Sequence, residues 1–252
     1  MYLRILGQIE VVRDGQVIVV AGARRRSLLA TLALDPGRTI SFDRLIDAVW
    51  DEAPPATARN TVQVHVAALR KVLGIPEYLI SRDPGYQLRL PSPGTDLVSF
   101  RQALAEVAAA SGPHQRLPML AEALALWRGN ALADVALTPY LSRYAASLDE
   151  LYTTTREDLL ADRLRVGQHQ DTIAELELLG SEHPFRERTV RLLMTALYRD
   201  GRASEAIRAY DALRDRLRDE LGVEPARQTA SIGRRIVRAD PSLLAPPAAI
   251  AG

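Results

Sequence analysis

The feature that most limits what this chain can fold into is a change of periodicity at Pro91-Ser-Pro-Gly94. Upstream, short alternating apolar runs and turn residues are mixed with helical patterns. Downstream, the sequence is almost wholly helical and rich in Ala, Leu, Arg and Glu. A Pro/Gly/Ser cluster at such a change predicts a domain boundary: an α+β domain over 1–92 and an all-α domain over 93–240. A length of 252 residues supplies core for both without staples. The formal net charge of +1, taken whole, predicts no polyanionic partner, but it averages unlike halves. Residues 1–92 carry 12 basic and 9 acidic side chains, net +3, whereas 93–252 carry 20 and 22, net −2. The absence of Cys excludes a disulfide scaffold, a thiolate zinc site and a Cys nucleophile. No apolar run is long enough to span a membrane and Met1 to Gly22 alternates with charges, so neither span nor signal peptide is expected, and the expected location is cytoplasmic.

In the first half, Leu3, Ile5, Ile9 and Val11 occupy odd positions, which reads as a half-buried strand. Asp14-Gly15 turns it into a second strand over Val17 to Val20. Three helices are predicted next: about Ala23–Leu34; one after the N-cap Ser41 carrying Leu45, Ile46, Val49 and Trp50; and about Thr57–Leu73, closed by Gly74. The third is the informative one. Val62, Val66, Leu69 and Leu73 share a buried stripe, and Asn60, Gln63, Ala67, Arg70 and Lys71 fall opposite it. No acid occurs between Thr57 and Gly74, although the chain has 31. Such a face suits a phosphate-lined groove, where Asn and Gln address base edges and Arg and Lys meet phosphate or guanine; the competing reading is a plain solvated helix face.

Residues Ile80 to Leu90 then read as a hairpin turning at Asp83-Pro84-Gly85, with Tyr86, Leu88 and Leu90 on one face and Arg82 beside the tip. Strands, three helices and a hairpin make a winged helix-turn-helix. Residues 1–92 resemble the OmpR-type winged-helix DNA-binding domain in Arg44-Leu-Ile-Asp-Ala-Val-Trp50, Asn60-Thr-Val-Gln-Val-His-Val66, Leu69-Arg-Lys71 and Gly85-Tyr86. The resemblance implies a major-groove helix and a minor-groove wing. It places Gln63 and Val64 at base edges, Asn60, His65, Arg70 and Lys71 at phosphate or flanking bases, Trp50 against the DNA backbone, and Arg82 in the wing. Arg59, on the same helix, joins this DNA-binding set. Ala67 and Ala68 stand where relatives often carry polar or basic groups. The run Arg24-Arg-Arg26 reads either as added phosphate contacts or as a solvated helix start.

The second half repeats with a period of 34 residues: Gly167 matches Gly201, Arg165 matches Arg199, Ile173 matches Ile207 and Leu179 matches Leu213. That period predicts tetratricopeptide-like helical hairpins, preceded by helices at about 97–110, 115–128 and 139–155. Ala206 and Tyr210 take the small and aromatic packing positions, where the first copy has Thr172 and Leu176. Ala123-Leu-Ala-Leu-Trp-Arg-Gly129, His183-Pro-Phe-Arg-Glu-Arg188, Leu192–Arg199 and Glu220-Leu-Gly-Val-Glu-Pro225 resemble the bacterial transcriptional activator domain. The two domains in this order, over about 1–240, resemble the streptomycete antibiotic regulatory proteins (SARPs). That resemblance implies binding to direct repeats of double-stranded DNA near a promoter, recruitment of RNA polymerase holoenzyme, and activation of a secondary-metabolite (antibiotic) gene cluster; a homodimer on the repeats is expected, and no cofactor or metal. No receiver domain is expected before the winged helix and no ATPase or phosphopeptide-binding module after the helical half. The Ala/Pro-rich tail from Pro241 is expected to be disordered.

An enzyme is the poorer reading. His65, His114, His169 and His183 form no metal-ligand pair, no Gly-x-Ser-x-Gly occurs, and the single lysine, Lys71, follows no phosphate-binding glycine loop. His183 before Pro184 reads as a helix-junction cap and Trp127 as a packing anchor. The pairs Glu205–Arg208, Asp211–Arg214 and Asp215–Arg218, at i, i+3, each stabilise solvated helix faces by roughly 0.2–0.5 kcal/mol. A helical-repeat scaffold would account for 93–252 alone but not for the acid-free face and the wing; a repressor using the same DNA-binding module is the other alternative.

Overall fold

Leu3, Ile5, Ile9 and Val11 are each at most 1% exposed, yet they do not lie on the single strand their spacing predicts. The computed structural model, which describes residues 1–51 and 53–244, pairs β1 (Tyr2–Arg4) antiparallel with β2 (Glu10–Arg13), Leu3 opposite Val11. Alternation reports only that the same side is buried; the reversal is made by Gly7, whose φ of 144° suits no side chain. β2 then pairs with β3 (Gln16–Val19) across the Asp14-Gly15 turn.

The three expected helices follow as α1 (Ala23–Ala33), α2 (Phe42–Asp47) and α3 (Ala58–Leu73), but α2 ends before Val49 and Trp50, which the expected helix carried. Ser41 caps α2, its hydroxyl accepting the Arg44 N–H at 3.4 Å, and Gly74 at φ 78° closes α3. The hairpin is β5 (Leu79–Arg82) and β6 (Gly85–Leu88). A strand the sequence pattern did not announce, β4 (Thr39–Ser41), completes a sheet of order β4-β6-β5; three residues are too few to show a period. The β4–β6 pairing requires Gly85, because a Cβ there would lie 1.9 Å from the Ile40 carbonyl oxygen.

Pro91–Gly94 is not a packing boundary. The Leu3 N–H donates to the Gly94 carbonyl at 2.9 Å, and the Asp96 carboxylate, 2% exposed, accepts the N–H groups of Ile5, Leu6 and Leu97 at 2.8 to 3.0 Å. Farther on, Arg128 N–H donates to Leu6, Leu132 N–H to Ile5 and Ala133 N–H to Gly7, while the Asp134 carboxylate accepts the Ile9 N–H at 2.9 Å. Residues 3–9 are thus strapped to 94–96 and 128–134. Accordingly the first compact unit comprises residues 1–108 with 122–153, and the second 109–121 with 154 onward.

α4 (Asp96–Ala109), α5 (Pro113–Leu124) and α6 (Pro139–Arg165) begin near their expected positions. α6 continues well past 155, carrying Thr153-Thr154-Thr155 despite their low helix propensity, with Thr153 and Thr155 buried. In the first unit Trp127 is a packing anchor, its ring 5.4 Å from Phe100 and 4.6 Å from Tyr152.

The second unit adds α7 (His169–Glu182), α8 (Glu187–Arg199), α9 (Ala203–Arg216) and α10 (Arg227–Val237). Gly167 and Gly201 turn at φ 89° and 79°, the equivalent places of the two hairpins. Thr172 and Ala206 are both fully buried and so fill the same kind of position, whereas Leu176 is fully buried and its counterpart Tyr210 only partly. This unit also buries two carboxylates completely. Glu157 accepts from Thr189 at 2.7 Å and pairs with Arg186 at 2.9 Å, and Asp162 pairs with Arg116 at 2.8 Å. The expected surface pairs form, Asp211–Arg214 at 3.0 Å, Asp215–Arg218 at 3.3 Å and Glu205–Arg208 at 3.9 Å. Of the tail expected to be disordered, Pro241–Leu243 is a 3-10 turn that buries Leu243; residues 245–252 lie outside the described residues.

Candidate nucleic-acid interface

α3 divides its residues as the spacing predicts. Val62, Val66, Leu69 and Leu73 are at most 1% exposed, against Leu28, Leu29 and Leu32 of α1 in the same core. Outward stand Arg59, Asn60, Gln63, Val64, Ala67 and Lys71, all exposed and with no acid among them. Val64 is 67% exposed, an apolar branched side chain left in solvent in the middle of a polar face. Arg82 is exposed on β5 beside the wing turn.

Three residues take positions other than those expected from the resemblance. Trp50, expected against the DNA backbone, is 9% exposed and belongs to the core, with the Arg24 guanidinium 5.4 Å over its ring. Arg70, expected at phosphate, is turned toward the wing: its Nε donates to the Leu79 carbonyl at 2.8 Å and its Nη2 to the Ser81 hydroxyl at 3.1 Å. A helix position near the C-terminal end of α3 faces β5 as well as solvent, and a long cation there finds its acceptors inside the fold. His65 is half-buried, and its Nε2 is sequestered without a hydrogen-bond partner. Burial of the ring, reinforced by the cationic Arg25 and Arg24, holds its pKa below the usual histidine value.

The aromatic contacts add an arrangement that spacing alone did not reveal. The Arg59 guanidinium lies 4.0 Å over the Phe42 ring of α2; Phe42 meets Tyr86 of β6 edge to face at 5.3 Å; and Arg70 lies 5.8 Å over Tyr86. Cation, ring, ring and cation therefore run from one end of α3 to the other through α2 and the wing. The only sequence signal for it was the co-occurrence of Phe42 and Tyr86 with two helix arginines, which periodicity cannot connect. Of the basic run, Arg26 is committed internally, its Nε donating to the Asp134 carbonyl at 2.7 Å and pairing with its carboxylate at 3.0 Å. Among the described residues no cluster of three or more His, Asp or Glu could hold a metal ion, and no helix is long and apolar enough to cross a membrane.

Residues 95–237 match the family model of the bacterial transcriptional activator domain, and residues 15–88 that of the transcriptional regulatory protein, C terminal. The chain is 38% identical to the regulatory protein AfsR of Streptomyces griseus over 96% of its own length and 25% of AfsR, so it spans about a quarter of that relative. It is 34% identical to the transcriptional regulator RedD of Streptomyces coelicolor, covering 98% of this chain and 73% of RedD. It is 31% identical to the regulatory protein DnrI of Streptomyces peucetius, covering 96% of this chain and 94% of DnrI. Among solved structures, Mycobacterium tuberculosis EmbR in complex with a low affinity phosphopeptide superposes with a TM-score of 0.89 at 32% identity, over 96% of this chain and 68% of that one.

Proposed function

Because the chain belongs to the SARP family of transcriptional activators, we propose that it binds duplex DNA through the outer face of α3 and the β5–β6 wing and activates transcription from the promoter it occupies. In this reading residues 1–92 are the DNA-binding module and 93–240 the activating module. The observation that carries it is the exposed, acid-free face of α3 flanked by the Arg82 wing.

Asn60 and Gln63 read base edges as bidentate donors and acceptors, and the exposed Val64 offers an apolar contact to a thymine methyl. Arg59, Lys71 and Arg82 neutralise phosphates in the major-groove walls and beside the wing. Arg70 acts one step back, holding the wing to the helix. Trp50 supports α2 from the core, and His65, neutral and half-buried, lies at the flank of the footprint. Two protomers occupy direct repeats as a homodimer on DNA, and the bound pair recruits RNA polymerase holoenzyme to a secondary-metabolite gene cluster.

The experiment is a gel shift against the promoters neighbouring the protein's own gene, with and without RNA polymerase. A shift at repeated half-sites that is strengthened by polymerase is expected. A shift without polymerase recruitment indicates a repressor, and no shift at any promoter removes the DNA-binding reading.

A further inference from the structure

We propose that a cavity lined by α2 and the first turns of α6 binds a phosphorylated ligand of nucleotide size. The cavity measures about 550 Å³ and is lined by Arg38, Arg44, Asp47, Tyr140, Arg143 and Tyr144, with Ser147 at its edge. That volume falls in the range of small-molecule sites, about 300–1,000 Å³, and exceeds what a bare phosphate fills. The α6 residues at 140, 143, 144 and 147 form one stripe, so a single helix face supplies half of the wall.

The charge in the cavity is poorly neutralised. Arg38 pairs with Asp35 at 3.2 Å, but among the described residues neither Arg44 nor Arg143 has a carboxylate at ion-pair distance. Asp47 is the one acid of the lining. Two unpaired guanidiniums on different helices, lining one cavity, match a multiply charged oxyanion, which guanidinium forks bind bidentately. α6 begins at Pro139, its first turn capped by Thr138, whose hydroxyl accepts the Leu141 N–H at 3.4 Å, so the cavity also lies at the positive end of that helix.

The rest of the wall suits an organic body. The Tyr140 and Tyr144 rings are 5.2 Å apart and the Tyr140 hydroxyl donates to Tyr144 at 3.4 Å, leaving the Tyr144 O–H as a donor into the cavity. Burial pushes the Tyr140 phenol above its ordinary pKa and the neighbouring Tyr144 hydroxyl adds to this, so it stays protonated. Ring faces provide a stacking platform for a base, and Asp47 an acceptor for a sugar hydroxyl or an exocyclic amine. The shared chemistry is a nucleotide phosphate, and it can arrive free or as part of a DNA strand.

Calorimetric titration of the full chain with inorganic phosphate, AMP and ATP tests the free source. Binding of AMP or ATP, weaker binding of phosphate alone, and at least tenfold weakening in an Arg44→Ala/Arg143→Ala double variant are expected. The Arg44→Lys/Arg143→Lys variant should recover part of the loss, and circular dichroism should show both variants folded. Gel shifts of the same double variant test the bound source: a salt slope reduced by about two units, with no nucleotide binding by the wild type, assigns the cavity to phosphates of DNA. No binding of any of the three anions together with an unchanged salt slope overturns the proposal. The titration does not involve α3, so a chain that fails to bind DNA leaves this arm intact.

Discussion

Arg70 and Lys71 are adjacent in sequence and diverge in the fold: Lys71 is exposed, whereas Arg70 donates to Leu79 and Ser81 of the wing strand. Lys71→Ala should therefore flatten the salt dependence of DNA binding by about one unit, the loss of one phosphate contact. Arg70→Ala should weaken binding by a similar factor at every salt concentration, since it loosens the wing without removing a phosphate contact; parallel binding isotherms across a salt series distinguish the two. The helix pattern made the outer face legible, because burial follows the α-helical period. It could not separate Arg70 from Lys71, since which cation finds an acceptor inside the fold depends on where β5 passes. His65 gives a second case. Its pKa is lowered in the fold by burial first and by Arg25 and Arg24 second, so the unfolded chain takes the proton more readily. Stability is then full above the unfolded value of about 6.5 and falls as pH drops through it toward the folded pKa. Thermal unfolding should show the wild type losing more Tm than His65→Gln between about pH 7 and pH 5; equal losses would assign the acid sensitivity to other groups.

At the scale of elements, the Arg59–Phe42–Tyr86–Arg70 series ties α3, α2 and β6 together. These contacts favour one separation of α3 and the wing, and in the proposed docking that is the separation at which the major and minor grooves have to be met. Gly85 guards the same geometry. Gly85→Ala puts a Cβ 1.9 Å from the Ile40 carbonyl oxygen, which forces β6 off β4. A stability loss of about 1–3 kcal/mol is expected from such overpacking, with weaker DNA binding and a retained α-helical signal. Denaturant melts and gel shifts on the one variant check both. The helices and the hairpin were readable because each spans at least one full period or carries a turn signal. β4 and the reversal at Gly7 were not, since a three-residue strand has no period and alternation continues unbroken through a glycine turn.

For the whole molecule, the split at Pro91 separates a basic stretch from an acidic one, net +3 and net −2, and the two family models divide the chain near the same point. The backbone does not. Ile5, Leu6 and Ile9 take their partners from Asp96 and Asp134, and Leu3 from Gly94. Sequence character marks a change of architecture, whereas long-range hydrogen bonds mark what folds together, and only the first is written locally. A fragment of residues 1–92 leaves those N–H groups without acceptors, so it should melt well below the full chain and be cut by protease within residues 1–12. Limited proteolysis with mass spectrometry checks this, and a fragment as resistant as the full chain would show the strap to be dispensable. The strap also sets an order of events in synthesis. Residues 3–9 leave the ribosome ahead of their partners, which run to residue 134, so Ile9 waits for an acceptor 125 residues further on. Completion of the first unit is in this way timed to the emergence of the helical region, and a translation product that stops short of residue 134 lacks the acceptor of Ile9.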